Sequence, residues 1–165
     1  MAGLGELVRP AMRGYLIPLG AGLVLIASTF LPWVIVGGTS LTGMPAVPAM
    51  WVAGLGAIAS VLAALSIITR RNSRHPLLVI GLAALGIMIL SWRIMPRSAR
   101  DRAQTLSQAF SIVENTPFGE TPAALVGSGI YLGLAASAAI VAFGLTIVVR
   151  RASHTYAVTS PDDDV

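Results

Sequence analysis

Val47-Pro-Ala-Met-Trp-Val-Ala-Gly-Leu-Gly-Ala-Ile-Ala-Ser-Val-Leu-Ala-Ala-Leu-Ser-Ile-Ile-Thr69 runs without one charged residue and stops at Arg70, Arg71 and Arg74. About 20 apolar residues, rising 1.5 Å each in a helix, cross the roughly 30 Å hydrocarbon layer of a bilayer. Three similar runs flank the stretch from Val47 to Thr69. Tyr15 to Val36 follows Arg9 and Arg13, Pro76 to Met95 follows the arginine-rich link, and Ala123 to Val149 is closed by Arg150 and Arg151. The expected spans are therefore 15–36, 47–69, 76–95 and 123–149.

Composition agrees. Of 165 residues, 55% are hydrophobic and 11% charged, and the mean hydropathy is +0.80. Soluble domains carry about 25% charged residues, so too few charges are present to cover a water-facing surface. Disorder, which needs low hydrophobicity, is equally disfavoured. The first run exceeds the 7–15 apolar residues of a signal peptide and is read as a retained helix.

All eleven basic residues are arginine, lysine and cysteine are both absent, and the formal net charge is +4. The sequence pI of about 10.7 would point to nucleic acid in a soluble protein; in a membrane protein it reflects arginines that orient helices. Arg9, Arg13, Arg70, Arg71, Arg74, Arg150 and Arg151 fall on one side. Arg93, Arg97, Arg100 and Arg102 fall on the other, with Asp101, Glu114 and Glu120 beside them. The positive-inside rule then places both termini in the cytoplasm, and the bias toward Ala, Gly, Val and Arg points to a high-GC bacterial source, hence an inner-membrane protein. Trp33, Trp51 and Trp92 all map to the outer boundary, where indole rings favour the headgroup level as interface anchors.

Between the third and fourth spans, Ala99, Ala103, Leu106, Phe110 and Val113 recur at helical spacing. This predicts an amphipathic helix over 98–115, set off by Pro96 and opened by Ser98 with Asp101 as a variant capping box. Thr121 and Pro122 supply the expected start of the last span, and the glycine-rich segment 37–48 reads as a compact loop. The outer helix either covers the protein's own helix ends and headgroups or docks a partner through Leu106, Phe110 and Val113. Residues 1–14 form a cytoplasmic N-terminal segment, 15–150 a four-helix transmembrane domain, and 151–165 an acidic cytoplasmic tail. The expected fold is all-α: an integral membrane four-helix bundle with one extra amphipathic helix in its second outer loop.

Small residues mark packing faces, Gly129-x-x-x-Gly133-x-x-x-Ser137 in the fourth span and Gly56-x-x-x-Ser60 in the second. Such spacing lets helix backbones approach closely, within the bundle or against another subunit. The arginines at 93, 97, 100 and 102 could meet lipid headgroups or an acidic partner, or snorkel to the interface and pair with neighbouring acids.

Chemistry is sparse. No Asp, Glu, His or Lys interrupts the four spans, whereas ion-coupled pumps and carriers depend on such groups at membrane depth. His75 and His154 lie toward the cytoplasmic boundary and do not form a facing pair for haem. No nucleophile elbow, metal cluster or phosphate loop is present, so no catalytic, cofactor or metal residues are assigned.

The run Phe30-Leu-Pro-Trp-Val-Ile-Val-Gly-Gly-Thr-Ser-Leu-Thr-Gly43 resembles the Leu-Pro-Trp segment that ends the first helix of small four-span proteins of actinobacteria and other high-GC bacteria. The tryptophan-associated transmembrane proteins are one such group. The resemblance covers the first three spans as a pattern, implies a bacterial membrane protein, and brings no active site. The helix over 98–115 has no counterpart in it.

Together these features predict a non-enzymatic accessory or structural subunit of a larger membrane complex, with a respiratory or other energy-converting assembly as the leading example. Its partners would be other membrane subunits and phospholipids, not nucleic acid. The alternatives are a stand-alone protein that binds an envelope lipid and, behind it, a small transporter component.

Overall fold

A computed structural model describes residues 13–70, 73–115, 117 and 123–154. A short 3-10 turn, Arg13–Tyr15, leads into helix α1 (Leu16–Ser28). Strands β1 (Pro32–Val36) and β2 (Thr39–Thr42) precede α2 (Val47–Thr69) and α3 (Arg74–Glu114); β3 (Ala124–Val126) precedes α4 (Ser128–His154). The chain is mostly helical. Three helices, α2, α3 and α4, are long and apolar enough to cross a membrane, whereas α1 is a shorter apolar helix.

The helical expectation holds for most of the chain, and a small three-stranded antiparallel sheet of order β2-β1-β3 is added to it. Its origin is local. Helix α1 ends where Ser28 and Thr29 turn their hydroxyls back onto the carbonyls of Leu25 and Ile26. Pro32 then lacks a donor and drives Leu31 out of helical backbone. The β-branched run Val34-Ile-Val36 suits a pleated strand. Gly37 and Gly38, at φ 55° and 84°, form the two-residue turn that positive φ allows, pairing Val36 with Thr39. Residues 32–36, expected as the outer end of the first span, are thus a strand. At 13 residues, α1 is about 20 Å long.

Two further boundaries differ. Pro96 lies inside α3, which continues unbroken for 41 residues, so the expected helices 76–95 and 98–115 are one rod about 62 Å long. Ser98 does not cap a new helix; its hydroxyl donates to the Met95 carbonyl one turn back. The last span begins at Ser128 rather than near Ala123, because residues 124–126 pair with β1. Thr121, Pro122, Arg71 and Glu120, the N-terminal segment through residue 12 and the tail from residue 155 lie outside the described residues.

The helices pack in a closed circuit, α1 on α2 and α4, and α3 on α4 and α2. Small side chains dominate the contacts: Ala49, Ala59, Ala63, Ala84, Ser60, Ser66 and Ser137 are buried. The larger apolar residues Ile17, Ile58, Val61, Ile68, Val79 and Leu82 point outward, the inverse of a soluble core and the arrangement expected where the surrounding solvent is hydrocarbon. Several buried serines donate to carbonyls of their own helix, as Ser60 does to Gly56 and Ser137 to Leu134, which satisfies those hydroxyls among apolar neighbours. At the end opposite the sheet, the Tyr15 ring meets Phe143 edge-on at 5.0 Å. The Arg74 guanidinium lies 5.5 Å from the Phe143 ring centre, and the Ser73 N–H donates to the Tyr15 hydroxyl at 3.2 Å. These contacts tie α1, α3 and α4 together at the arginine-rich end.

Candidate functional site

The sheet end is built around Trp33. Its side chain is 1% exposed, and its indole N–H donates to the Ser28 carbonyl at 2.9 Å. A methyl group on Gly43 would lie 2.5 Å from the indole Cε2, and one on Gly129 would lie 2.7 Å from its Cδ1. The ring is therefore clamped between two backbones that only glycine brings so close. Trp33 is a core residue rather than an interface anchor. Trp51, 65% exposed, and Trp92 remain on the surface near the same end.

The small-residue faces are consumed inside the chain. A methyl on Gly56 would lie 2.8 Å from the Gly22 carbonyl of α1, and one on Gly22 would strike the Ser60 hydroxyl. Gly133 faces Met88 of α3 and the Ser28 hydroxyl, and Ser137 is fully buried. These positions hold the helices to one another and offer no free face to a second subunit.

Beyond the bundle, the C-terminal half of α3 stands partly clear. Leu106, Phe110, Ile112 and Val113 are exposed, Phe110 by 63% and Val113 by 83%. The expected stripe of Leu106, Phe110 and Val113 is thus present on a continuous helix, and Ile112 is exposed on a different face. Below it, Ala99 packs on the core that includes Trp33.

A groove of about 660 Å³ opens between the hairpin and this part of α3. Trp33 and Val34 contribute on the β1 side and Leu41 on the β2 side, while Met95, Ala99, Ala103 and Leu106 supply the helical wall. Among the described residues, Arg102 is the one charged residue lining it. Of the other arginines in the expected cluster, Arg97 and Arg100 line a separate hollow of about 330 Å³ with Asp101, and Arg93 is exposed. The structure therefore divides the cluster. Among the described residues, none of these four arginines has a hydrogen bond or ion pair, so the expected pairing with Asp101 or Glu114 is not formed.

A second, smaller crevice of about 290 Å³ lies between α2 and α3. Pro48 and Trp51 line one side, and Ile87, Leu90, Ile94 and Met95 the other. It shares Met95 with the groove, and its Val47 directly follows Ala46 of the groove wall. Sequence reasoning missed both hollows, because the groove requires a hairpin to form its far wall. The Gly37-Gly38 pair between alternating residues was the available signal.

Among the described residues, no three His, Asp or Glu side chains gather as a metal site. No family model, curated protein or solved structure matches the chain.

Proposed function

We propose that this chain is a non-catalytic accessory subunit of a larger bacterial membrane complex, docking its partner through the exposed half of α3. The observation that carries this reading is the exposed apolar stripe of Leu106, Phe110 and Val113 on a helix that outruns the other three. In water such a stripe is a liability, and contiguous exposed apolar surface on a protein marks an interaction site. The small-residue faces no longer contribute to the argument, since they are used internally.

In this reading the four helices form a bundle in the cytoplasmic membrane, with the sheet end outside and both termini inside. The exposed indoles of Trp51 and Trp92 support the sheet end as a headgroup boundary, and the arginines at 70, 71, 74, 150 and 151 support the other end as cytoplasmic. A respiratory assembly is the first complex in which to look for it. Photo-crosslinking tests the docking surface. A photoreactive residue at Phe110 or Val113 is expected to capture one polypeptide partner in intact cells, while the same residue at Val79, on the outer face of α3 within the bundle, captures lipid only. Equal yields from all three positions would remove the reading.

A further inference from the structure

We infer that the groove between the hairpin and α3 is a binding site for one anionic membrane lipid, its chain in the groove and its phosphate at Arg102. Three observations converge. First, the volume of about 660 Å³ lies within the 300–1,000 Å³ range of small-molecule sites, and the lining is apolar apart from a few polar groups, as such sites require. Second, the single cation that the described residues contribute to the lining is placed as a headgroup partner. Arg102 follows Met95 by two helical turns, about 10 Å along α3, with Leu106 one turn beyond it, and so stands in the outer half of the groove. It has no hydrogen-bond or ion-pair partner among the described residues, and a guanidinium matches phosphate with paired N–H donors.

Third, the groove opens onto a path from the membrane. It shares Met95 as a lining residue with the α2–α3 crevice. That crevice in turn shares Val47 and Trp51 with a shallow apolar hollow of about 510 Å³ along α2, reaching down to Ile58. The series of hollows therefore leads from the apolar flank of α2 to a cation in the outer half of the groove. A lipid in the adjoining leaflet has the same polarity, tail toward the bilayer centre and phosphate outward. The site does not depend on which subunit docks at Phe110 and Val113.

Trp33 lines the groove and serves as the reporter. The full chain carrying Trp51→Phe and Trp92→Phe is reconstituted into phosphatidylcholine vesicles containing increasing fractions of phosphatidylglycerol with brominated acyl chains. The expected result is quenching of Trp33 fluorescence at low mole fraction of the brominated anionic lipid, with brominated phosphatidylcholine much weaker at the same fraction. Arg102→Gln should raise the phosphatidylglycerol fraction needed for half-quenching about five-fold, the value of one basic side chain at an anionic surface. Ala103→Phe, which fills the groove, should abolish the preference. The Trp33 emission maximum and the circular dichroism spectrum confirm that each variant is folded. Equal quenching by the two lipids, absence of quenching by either, or an Arg102→Gln variant indistinguishable from its parent would each overturn the assignment.

Discussion

Replacing Trp33 separates a core residue from a membrane anchor. The indole is buried and clamped between Gly43 and Gly129, so Trp33→Ala opens a cavity that two fixed backbones cannot close. Truncations of this kind cost about 3–5 kcal/mol. Trp33→Phe keeps most of the ring but removes the N–H that reaches the Ser28 carbonyl. That carbonyl also accepts the Leu31 N–H at 3.3 Å, so it is not stranded. The lost bond contributes about 0.5–1.5 kcal/mol, and a partial void raises the total toward 1–3 kcal/mol, roughly. For a chain of this length, about 2–4 °C of melting temperature accompanies each kcal/mol. Thermal unfolding in mild detergent, followed by circular dichroism, should fall by about 6–20 °C for Trp33→Ala at that conversion. Trp51→Ala, at an exposed site, should change stability by no more than about 0.5 kcal/mol. If Trp33→Ala and Trp51→Ala shift the transition equally, Trp33 is not the centre of the sheet-end core.

Gly56→Ala should destabilise by about 1–3 kcal/mol in the same unfolding assay, because its methyl would press on the Gly22 backbone. Gly54→Ala, two residues away and facing open space, should instead be neutral or gain up to about 1 kcal/mol of helix propensity. Replacing Gly37 and Gly38 together with alanine imposes positive φ on two side-chain-bearing residues, at about 1–2 kcal/mol each. Amide exchange at β1 and β2 should accelerate, while the amides of α2 keep their protection.

Apolar runs closed by arginine were sufficient to locate α2 and to show that α3 and α4 are long membrane-type helices. Hydropathy alone was misleading at the run that begins with Tyr15. Val34, Ile35 and Val36 are as apolar as any helix residue, so a count of crossings absorbs them into a span. Their β-branching, the preceding Pro32 and the Gly37-Gly38 pair decide for a strand. The partner strand at residues 124–126 could not be read, because three residues carry no periodicity and the pairing is long-range. Pro96 pointed to a break, yet the helix runs through it; tertiary packing of Met95 and Ala99 against the core outweighs the local preference. The stripe at Leu106, Phe110 and Val113 was legible from its spacing. The arginine cluster was legible only as a group, since selecting Arg102 requires the hairpin that forms the opposite wall of its groove.

The docking surface on α3 is tested most directly by isolating the complex from native membranes. The tagged chain, solubilised in mild detergent, should migrate on native gels well above its own 17.1 kDa plus detergent, together with one constant second polypeptide, the same one captured by crosslinking at Phe110. A chain carrying Phe110→Asp and Val113→Asp, with unchanged melting temperature, should migrate alone. A wild-type chain that runs alone, or a double variant that keeps the same companion, would contradict docking through this helix.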